Sequence, residues 1–309
     1  LILTITLNPS IDKRYNIEDF QKDKIFRVND YEYTVGGKGL NVTKVIKSFS
    51  ERVKATGLLG GSGGKFIEDG LNEMNIDHNF VSIDGETRSC LAILSKDGSQ
   101  TEILEKGPFI SAEELNSFNN LYDKLSNEVN IICASGSLPS GLPNDMYKDM
   151  ILLGKKRGKK FILDTSGEAL KCGIEAGPYL VKPNKEELEK LSGISIRNES
   201  DIIKASEYLL DKGIKIIVVS LGKDGAMVFE EDSIYKVRIP KIKAVNSVGS
   251  GDSMIAGFAI SLSRGYDFQK MLRLGAACGT ANAMESQTGK VDIENVNKVM
   301  KEIEVEKCR

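Results

Sequence analysis

Short apolar runs of strand length, separated by stretches of helical spacing, dominate the middle of the chain: Ile131-Ile132-Cys133-Ala134, Phe161-Ile162-Leu163-Asp164, Tyr179-Leu180-Val181-Lys182 and Ile214 to Ser220. Strands that are apolar throughout are buried on both faces, as in a parallel sheet covered by helices on each side. Between the last two runs, Lys185 to Leu191 and Asp201 to Lys212 carry apolar residues at helical spacing, including Ile202, Ile203, Ala205, Tyr208 and Leu209. Repetition of strand, helix, strand predicts an α/β, doubly wound architecture with a mostly parallel central sheet. The run Leu1 to Leu7 alternates apolar and polar residues and reads as a further strand; no basic region precedes it, so export is not expected.

Two segments break this rhythm, about residues 12–35 and 87–106. The second contains Arg88 to Leu94, then Lys96-Asp97-Gly98-Ser99, then Gln100 to Leu104, which is a hairpin pattern around Asp-Gly. Such β-structure inserted into an α/β domain predicts a small second sheet over one edge, acting as a lid. No repeat, low-complexity tract or Pro-rich linker divides the chain, so residues 1–309 are read as one domain with a lid.

Composition narrows the function. Lys plus Arg at 42 against Asp plus Glu at 44 gives a net charge of −2, which provides no field for nucleic acid or an anionic membrane. No apolar run approaches the ~18 residues of a membrane span. The single histidine, His78, lies in a charged, turn-like stretch, which argues against His-rich metal sites and a Ser-His-Asp hydrolase. Cys90, Cys133, Cys172, Cys278 and Cys308 show no C-x-x-C spacing and fit reduced thiols in a cytoplasm.

The most informative segment is Asn246-Ser247-Val248-Gly249-Ser250-Gly251-Asp252-Ser253, which runs into the apolar Met254 to Leu262. A Gly-rich turn opening a helix directs the N–H groups of residues 249–252, and the positive end of the helix dipole, at one point. A phosphoryl group in transfer suits that point, with Asp252 beside it to take the proton of an attacking hydroxyl. Ordinary helix capping requires the same residue types. A second cluster, Val35-Gly36-Gly37-Lys38-Gly39-Leu40-Asn41-Val42-Thr43, precedes a helical stretch from Val42 to Phe49 and brings a charge and an amide to a loop that a ligand can approach closely. There is no G-x-x-x-x-G-K-[ST] loop and no G-x-G-x-x-G fingerprint, and the glycine-rich Gly57 to Gly64 reads as a strand-to-helix connection.

Gly36 to Val42 and Val248 to Asp252 resemble the two signatures of the PfkB carbohydrate kinases, each occurring once and in the family's order. The resemblance extends through Thr6-Leu7-Asn8-Pro9-Ser10-Ile11-Asp12, Ser135-Gly136-Ser137-Leu138-Pro139, Val181 to Glu187 and Ser220 to Ala226, and so covers nearly the whole chain. It implies a ribokinase-like three-layer α/β/α sandwich with a β-sheet lid, Asp252 as general base, and Gly249, Ser250 and Gly251 in the anion hole. It also implies ATP contacts at Lys182, Asn184, Ser220, Gly222, Gly225 and Asn282, with Mg2+ held by Asn184 and Glu187, although Asn184 also has the place of a simple helix cap. For the acceptor, the matching positions are Asp12, Gly36, Gly37 and Asn41, and a phosphorylated sugar would add Arg27, Lys38, Arg88 and Ser137.

Among the family's substrates the resemblance points to a ketohexose phosphate. Gly85 to Leu94, Gln100 to Glu105 and Glu285-Ser286-Gln287-Thr288-Gly289 look more like tagatose-6-phosphate kinases, while kinases of fructose 1-phosphate tend to carry Asn-Val-Lys where this chain has Cys90-Leu91-Ala92. The implied reaction is transfer from ATP to the C1 hydroxyl of tagatose 6-phosphate, with 1-phosphofructokinase activity as the alternative and a non-catalytic sugar-phosphate-binding regulator as a third reading. A homodimer joined through the lid sheets is also implied.

Overall fold

The computed structural model describes residues 1–309. Ten strands form the main sheet: β1 (Ile2–Thr6), β4 (Val53–Gly60), β5 (Asp77–Ile83), β8 (Ile131–Ser135), β9 (Lys160–Asp164), β10 (Leu180–Val181), β11 (Ile216–Ser220), β12 (Ala226–Glu230), β13 (Ser233–Arg238) and β14 (Glu304–Lys307). Their order is β14-β13-β12-β11-β10-β9-β8-β1-β4-β5. From β5 to β11 all pairs are parallel, whereas β12, β13 and β14 extend the edge in antiparallel pairing.

Alternate residues of the central strands feed two separate cores. Ile132, Ala134, Phe161, Leu163, Ile217 and Val219 pack with helices including Ala112–Asn127, Met146–Lys156 and Glu199–Leu210. Ile131, Cys133, Ile162, Ile216 and Val218 pack with helices Lys38–Ser48, Ser250–Arg264, Phe268–Ala283 and Ile293–Glu302. The result is the expected α/β/α layering, and it explains why these strands are apolar on both faces. The alternation in Leu1–Leu7 does not mark a solvated face. Thr4 and Thr6 are buried, and Thr4 Oγ1 hydrogen-bonds Thr43 Oγ1 of the covering helix at 2.7 Å.

β1 pairs with β4 on one side and β8 on the other. The chain builds outward from β1 in one direction and then in the other, which opens a crevice beyond the carboxyl ends of these strands. Helices Lys38–Ser48 and Ser250–Arg264 both begin at that crevice. Over it lies a second sheet of β2 (Ser10–Asn16), β3 (Tyr31–Gly36), β6 (Arg88–Leu94) and β7 (Gln100–Leu104), in the order β3-β2-β6-β7. The β6–β7 turn closes with Gly98 at φ +84°, as the Asp-Gly signal requires.

Some local expectations change and others hold. His78 is not in a turn but in the edge strand β5, opposite Ala55, with its ring nitrogen 3.2 Å from Asn72 Oδ1; one open side lets an edge strand carry charged neighbours. Gly57–Gly64 is the strand-to-helix connection expected, and a direct one: β4 ends at Gly60 and the helix Gly61–Glu73 begins at the next residue. The helix expected from Val42 starts at Lys38, and the one expected from Asp201 starts at Glu199, where the Asn198 side chain accepts from the Asp201 N–H.

Helix Ser250–Arg264 crosses Phe268–Ala283 at Gly257 and Gly275. A Cβ on Gly257 would lie 2.7 Å from Gly275 Cα, and one on Gly275 would lie 2.2 Å from the Phe258 ring. Glycine within a helix is unfavourable by about 1 kcal/mol relative to alanine, so close backbone approach is what these positions supply. Gly257→Ala is expected to destabilise the protein by about 1–3 kcal/mol through overpacking, read as a lower urea midpoint at unchanged m-value.

Candidate active site

Asp164 ends β9 at the floor of the crevice and is 3% exposed. Its Oδ2 lies 3.5 Å from Lys38 Nζ and its Oδ1 3.4 Å from Lys182 Nζ. Burial alone would raise the Asp164 pKa, but Lys182 and Lys38 overcome it and hold the carboxyl below its ordinary value. Lys38 is raised in turn, chiefly by Asp164 and further by Asp252 and Glu187, and stays an ammonium ion. Lys182 follows β10 and Lys38 opens its helix, so three separate elements converge to place two cations around one carboxylate.

Helix Ser250–Arg264 starts against these cations. Gly249, its N-cap, has φ +81°, a left-handed conformation suited to glycine. Ser250 N–H bonds Ser247 O at 3.3 Å and Ser253 N–H bonds Gly249 O at 2.8 Å, whereas the N–H groups of Gly249, Gly251 and Asp252 have no acceptor within the protein. The expected nest of four donors is thus one of three. A Cβ on Gly251 would sit 2.9 Å from Lys182 Nζ, so the missing side chain is what admits the ammonium group.

Asp252 is 5% exposed, and its Oδ2 accepts from Asn41 Nδ2 at 2.9 Å. Its pKa is raised, first by burial and also by Asp164, against the opposing pull of Lys38, Asn41 and Lys182. A carboxylate moved upward in this way is a better proton acceptor near neutral pH.

A cleft of about 440 Å³ runs from Asp252 and Gly249 under the small sheet. Gly37, Lys38, Asn41, Asp12, Arg88 and Ser137 all line it. Asp12 Oδ1 accepts from Ser10 Oγ at 2.7 Å, and Gly36 leaves room for that carboxylate, because a Cβ there would lie 2.1 Å from Asp12 Cγ. Burial raises the Asp12 pKa. The Arg88 guanidinium donates to Asn8 O at 3.0 Å and to Glu105 O at 2.8 Å, fixing the base of the small sheet, and Ser137 Oγ accepts from Asn8 Nδ2 at 3.2 Å. Arg27 stands apart. It lies in the exposed stretch between β2 and β3 and does not reach the cleft within one chain.

On the far side of Lys182, the ends of β10 and β11 bring Asn184 beside Ser220 in a backbone bridge, with Gly222 and Gly225 in the following turn. Gly225 has φ +86°, and a Cβ there would meet Val237 O at 2.0 Å, so the fold itself demands this glycine. Asn184 and Glu187 form a reciprocal capping box: Asn184 Oδ1 accepts from Glu187 N–H at 2.8 Å, and Glu187 Oε2 accepts from Asn184 N–H at 2.9 Å. Glu187 Oε1 is left outside this pairing.

Asn282, expected beside the adenine, is fully buried with its amide engaged by the protein. Its Oδ1 accepts from Ser253 Oγ and Gly289 N–H, and its Nδ2 donates to Val248 O at 2.8 Å. It clamps the loop that forms the anion nest. Sequence reasoning overlooked Asp164 as a site residue, although a lone carboxylate at the carboxyl end of a buried parallel strand marks the position where such sheets bind ligands. Asn8, Asn246 and Ser286–Thr288, which lie within the sequence motifs without an expected role, also line the cleft, together with Arg14 and Glu32, which no local pattern distinguishes. Asn8 Oδ1, Asn41 Oδ1 and Ser250 Oγ are buried without a partner in the protein, as polar groups at a ligand site can be.

The profile of the pfkB family carbohydrate kinases matches residues 4–295. The chain belongs to this family. Among solved structures, a protein of Staphylococcus aureus provisionally called a phosphofructokinase is 33% identical, with 99% of each chain covered and a TM-score of 0.86. Phosphofructokinase-2 of Escherichia coli, in complex with potassium, is 28% identical over 97% of this chain and 98% of its own, with a TM-score of 0.91. A Thermotoga maritima protein provisionally called 1-phosphofructokinase is also 28% identical, over 100% of this chain and 99% of its own, with a TM-score of 0.91.

In a carbohydrate kinase of this geometry, Asp252→Asn should lower kcat by about 10²–10⁴-fold while acceptor binding is retained, as checked by steady-state kinetics and calorimetry. The acid limb of kcat/KM should fall above the ordinary carboxylate pKa of 3.8, because burial raises Asp252 and the base works only when ionised. Lys38→Met removes the largest opposing influence, so a pH–rate profile of that variant should show the limb displaced to still higher pH.

Proposed function

We propose that this protein is an ATP-dependent sugar-phosphate kinase transferring the γ-phosphoryl group to the C1 hydroxyl of D-tagatose 6-phosphate, giving tagatose 1,6-bisphosphate and ADP. The observation that carries the reading is the convergence of Asp252, three unpaired N–H donors and the Lys38–Asp164–Lys182 cluster at the inner end of an acceptor cleft. Asn41 holds Asp252 Oδ2, leaving Oδ1 to take the hydroxyl proton as the oxygen attacks phosphorus in line. The new P–O bond forms as the bond to ADP breaks, and the N–H groups of Gly249, Gly251 and Asp252 receive charge on the transferred oxygens. The small sheet acts as a lid that keeps water from the phosphoryl group.

The donor set suits magnesium bound with ATP. No group of three or more His, Cys, Asp or Glu residues forms a protein cage, and Mg2+ characteristically takes one or two carboxylates plus water and phosphate oxygens. Glu187 Oε1, with Asn184 beside it, would hold that ion, which supplies neutralisation of the β- and γ-phosphate charge.

The sugar assignment is supported by where the discriminating sequences fall. Arg88, Cys90, Leu91 and Ala92, then Gln100 and Glu102, then Ser286 to Thr288 all line the acceptor cleft. Fructose 1-phosphate is the second reading, favoured by the Thermotoga maritima relative provisionally called 1-phosphofructokinase. A homodimer through the small sheets belongs to the proposal, since β7 is exposed along its whole length and Tyr31 and Tyr33 are exposed on β3. Free cysteines and the lack of any helix long and apolar enough to cross a membrane are compatible with a cytoplasmic setting.

With Mg-ATP, ADP release is expected to be fastest with tagatose 6-phosphate in a panel containing fructose 1-phosphate, fructose 6-phosphate and the free ketoses. Preference for fructose 1-phosphate would keep the mechanism and replace the substrate. Absence of turnover on every sugar would favour a binding protein that has lost catalysis.

A further inference from the structure

The loop Glu285–Gly289, which follows helix Phe268–Ala283, touches both the small sheet and the anion nest. On the sheet side, Arg14 of β2 and Glu32 of β3 stand directly opposite each other and form an ion pair of 2.9 Å, with both side chains partly exposed. Arg14 Nη1 donates to Ser286 O at 2.7 Å, and Glu32 Oε1 accepts from Gln287 Nε2. Lys44 adds a third tie, donating to Val35 O of β3 at 2.9 Å and to Thr288 O at 3.0 Å.

On the nest side, Asn246 Nδ2 donates to Ser286 O, and Asn246 Oδ1 accepts from Val248 N–H at 3.0 Å. Gly289 N–H donates to Asn282 Oδ1 at 2.9 Å, and Asn282 Nδ2 holds Val248 O. Gly249 and Gly289 are close neighbours: a Cβ on Gly249 would lie 3.1 Å from Gly289 N, and one on Gly289 would lie 2.9 Å from Asn41 Cα. From the Arg14–Glu32 pair, contacts run through Ser286 and Asn246, and through Gly289 and Asn282, to Val248 in the turn that aims the phosphoryl-binding N–H groups.

We propose that Arg14 and Glu32 are a positioning latch: the small sheet, when seated over the cleft, grips Ser286 and Gln287 and thereby holds the anion nest in its working geometry. Both residues act through the loop and not on the reacting atoms. The pair is built from the two strands of one sheet, so displacing the sheet removes both grips together. Loss of contacts in the seated state then loosens the 246–251 turn at the moment the cleft is open, which suppresses phosphoryl transfer to water. The catalytic consequence rests on the proposed kinase function, whereas the mechanical link does not.

The test is amide hydrogen exchange on the ligand-free protein alongside steady-state kinetics, for Arg14→Met and, from the other side of the contact, Gln287→Ala. Exchange at 246–251 and 285–289 is expected to rise at least tenfold while β8 and β9 stay as protected as in the wild type. With Mg-ATP and tagatose 6-phosphate, kcat is expected to fall about tenfold with the KM for ATP within threefold, and Arg14→Lys, which can still pair with Glu32, should recover part of the loss. Unchanged exchange, an unchanged kcat, or a rise confined to the acceptor KM would overturn the latch, the last by making Arg14 a substrate ligand. If the wild type turns over no sugar phosphate, the kinase reading falls and the exchange result alone decides the latch.

Discussion

Two lysine side chains share one carboxylate at the floor of the cleft, and the charge arrangement of the whole site follows from that sharing. Asp164 is taken out of water by β9 and its neighbours, a placement that is tolerable only because Lys182 and Lys38 lie within 3.5 Å of it. One negative charge between two positive ones leaves a local excess of one positive charge, presented toward Asp252 and the anion nest. That surplus balances the Asp252 carboxylate and opposes the rise that burial imposes on its pKa. Lys38 both serves this cluster and keeps its side chain partly exposed along the cleft, where an acceptor phosphate could also meet it.

The sheet topology decides where the cluster can exist. With β1 paired to β4 and β8, the strand ends diverge, and the residues that leave them, Asn8 after β1, Gly136 after β8 and Thr165 after β9, form the cleft wall. Two helix starts face the same opening, so backbone donors as well as side chains point into it. The conformation at Gly249 and the close approach at Gly251 are local requirements that serve this single convergence.

Much of this was legible in the linear sequence because it is carried by short-range signals. Apolar runs such as Ile131 to Ala134 declare strands buried on both faces, Asp97-Gly98 declares a hairpin, and Gly249-Ser250-Gly251-Asp252 declares a helix start with donors to spare. Pairwise facts were not legible. Asn282 has the residue type of a nucleotide contact, and only the fold shows that Ser253, Val248 and Gly289 take up its amide. Arg27 sits in a segment with the right composition, yet the chain between β2 and β3 carries it outward. The antiparallel strands β12, β13 and β14 escaped because β14 comes from the far end of the chain and its place depends on β13 being there to receive it.

The small sheet is stitched from two insertions whose only mutual ladder is the parallel pairing of β2 with β6, joining residues roughly 80 positions apart. No tight turn connects those strands, so the ladder can close only after β1, β4 and β5 have brought its two halves together. Its strands are largely half-buried or exposed and add no residue to the two large cores, so the sheet is expected to open at a lower free energy than those cores require. A kinase built this way has its cover and its scaffold on different stability scales, so the cover can cycle once per turnover while the scaffold stays intact.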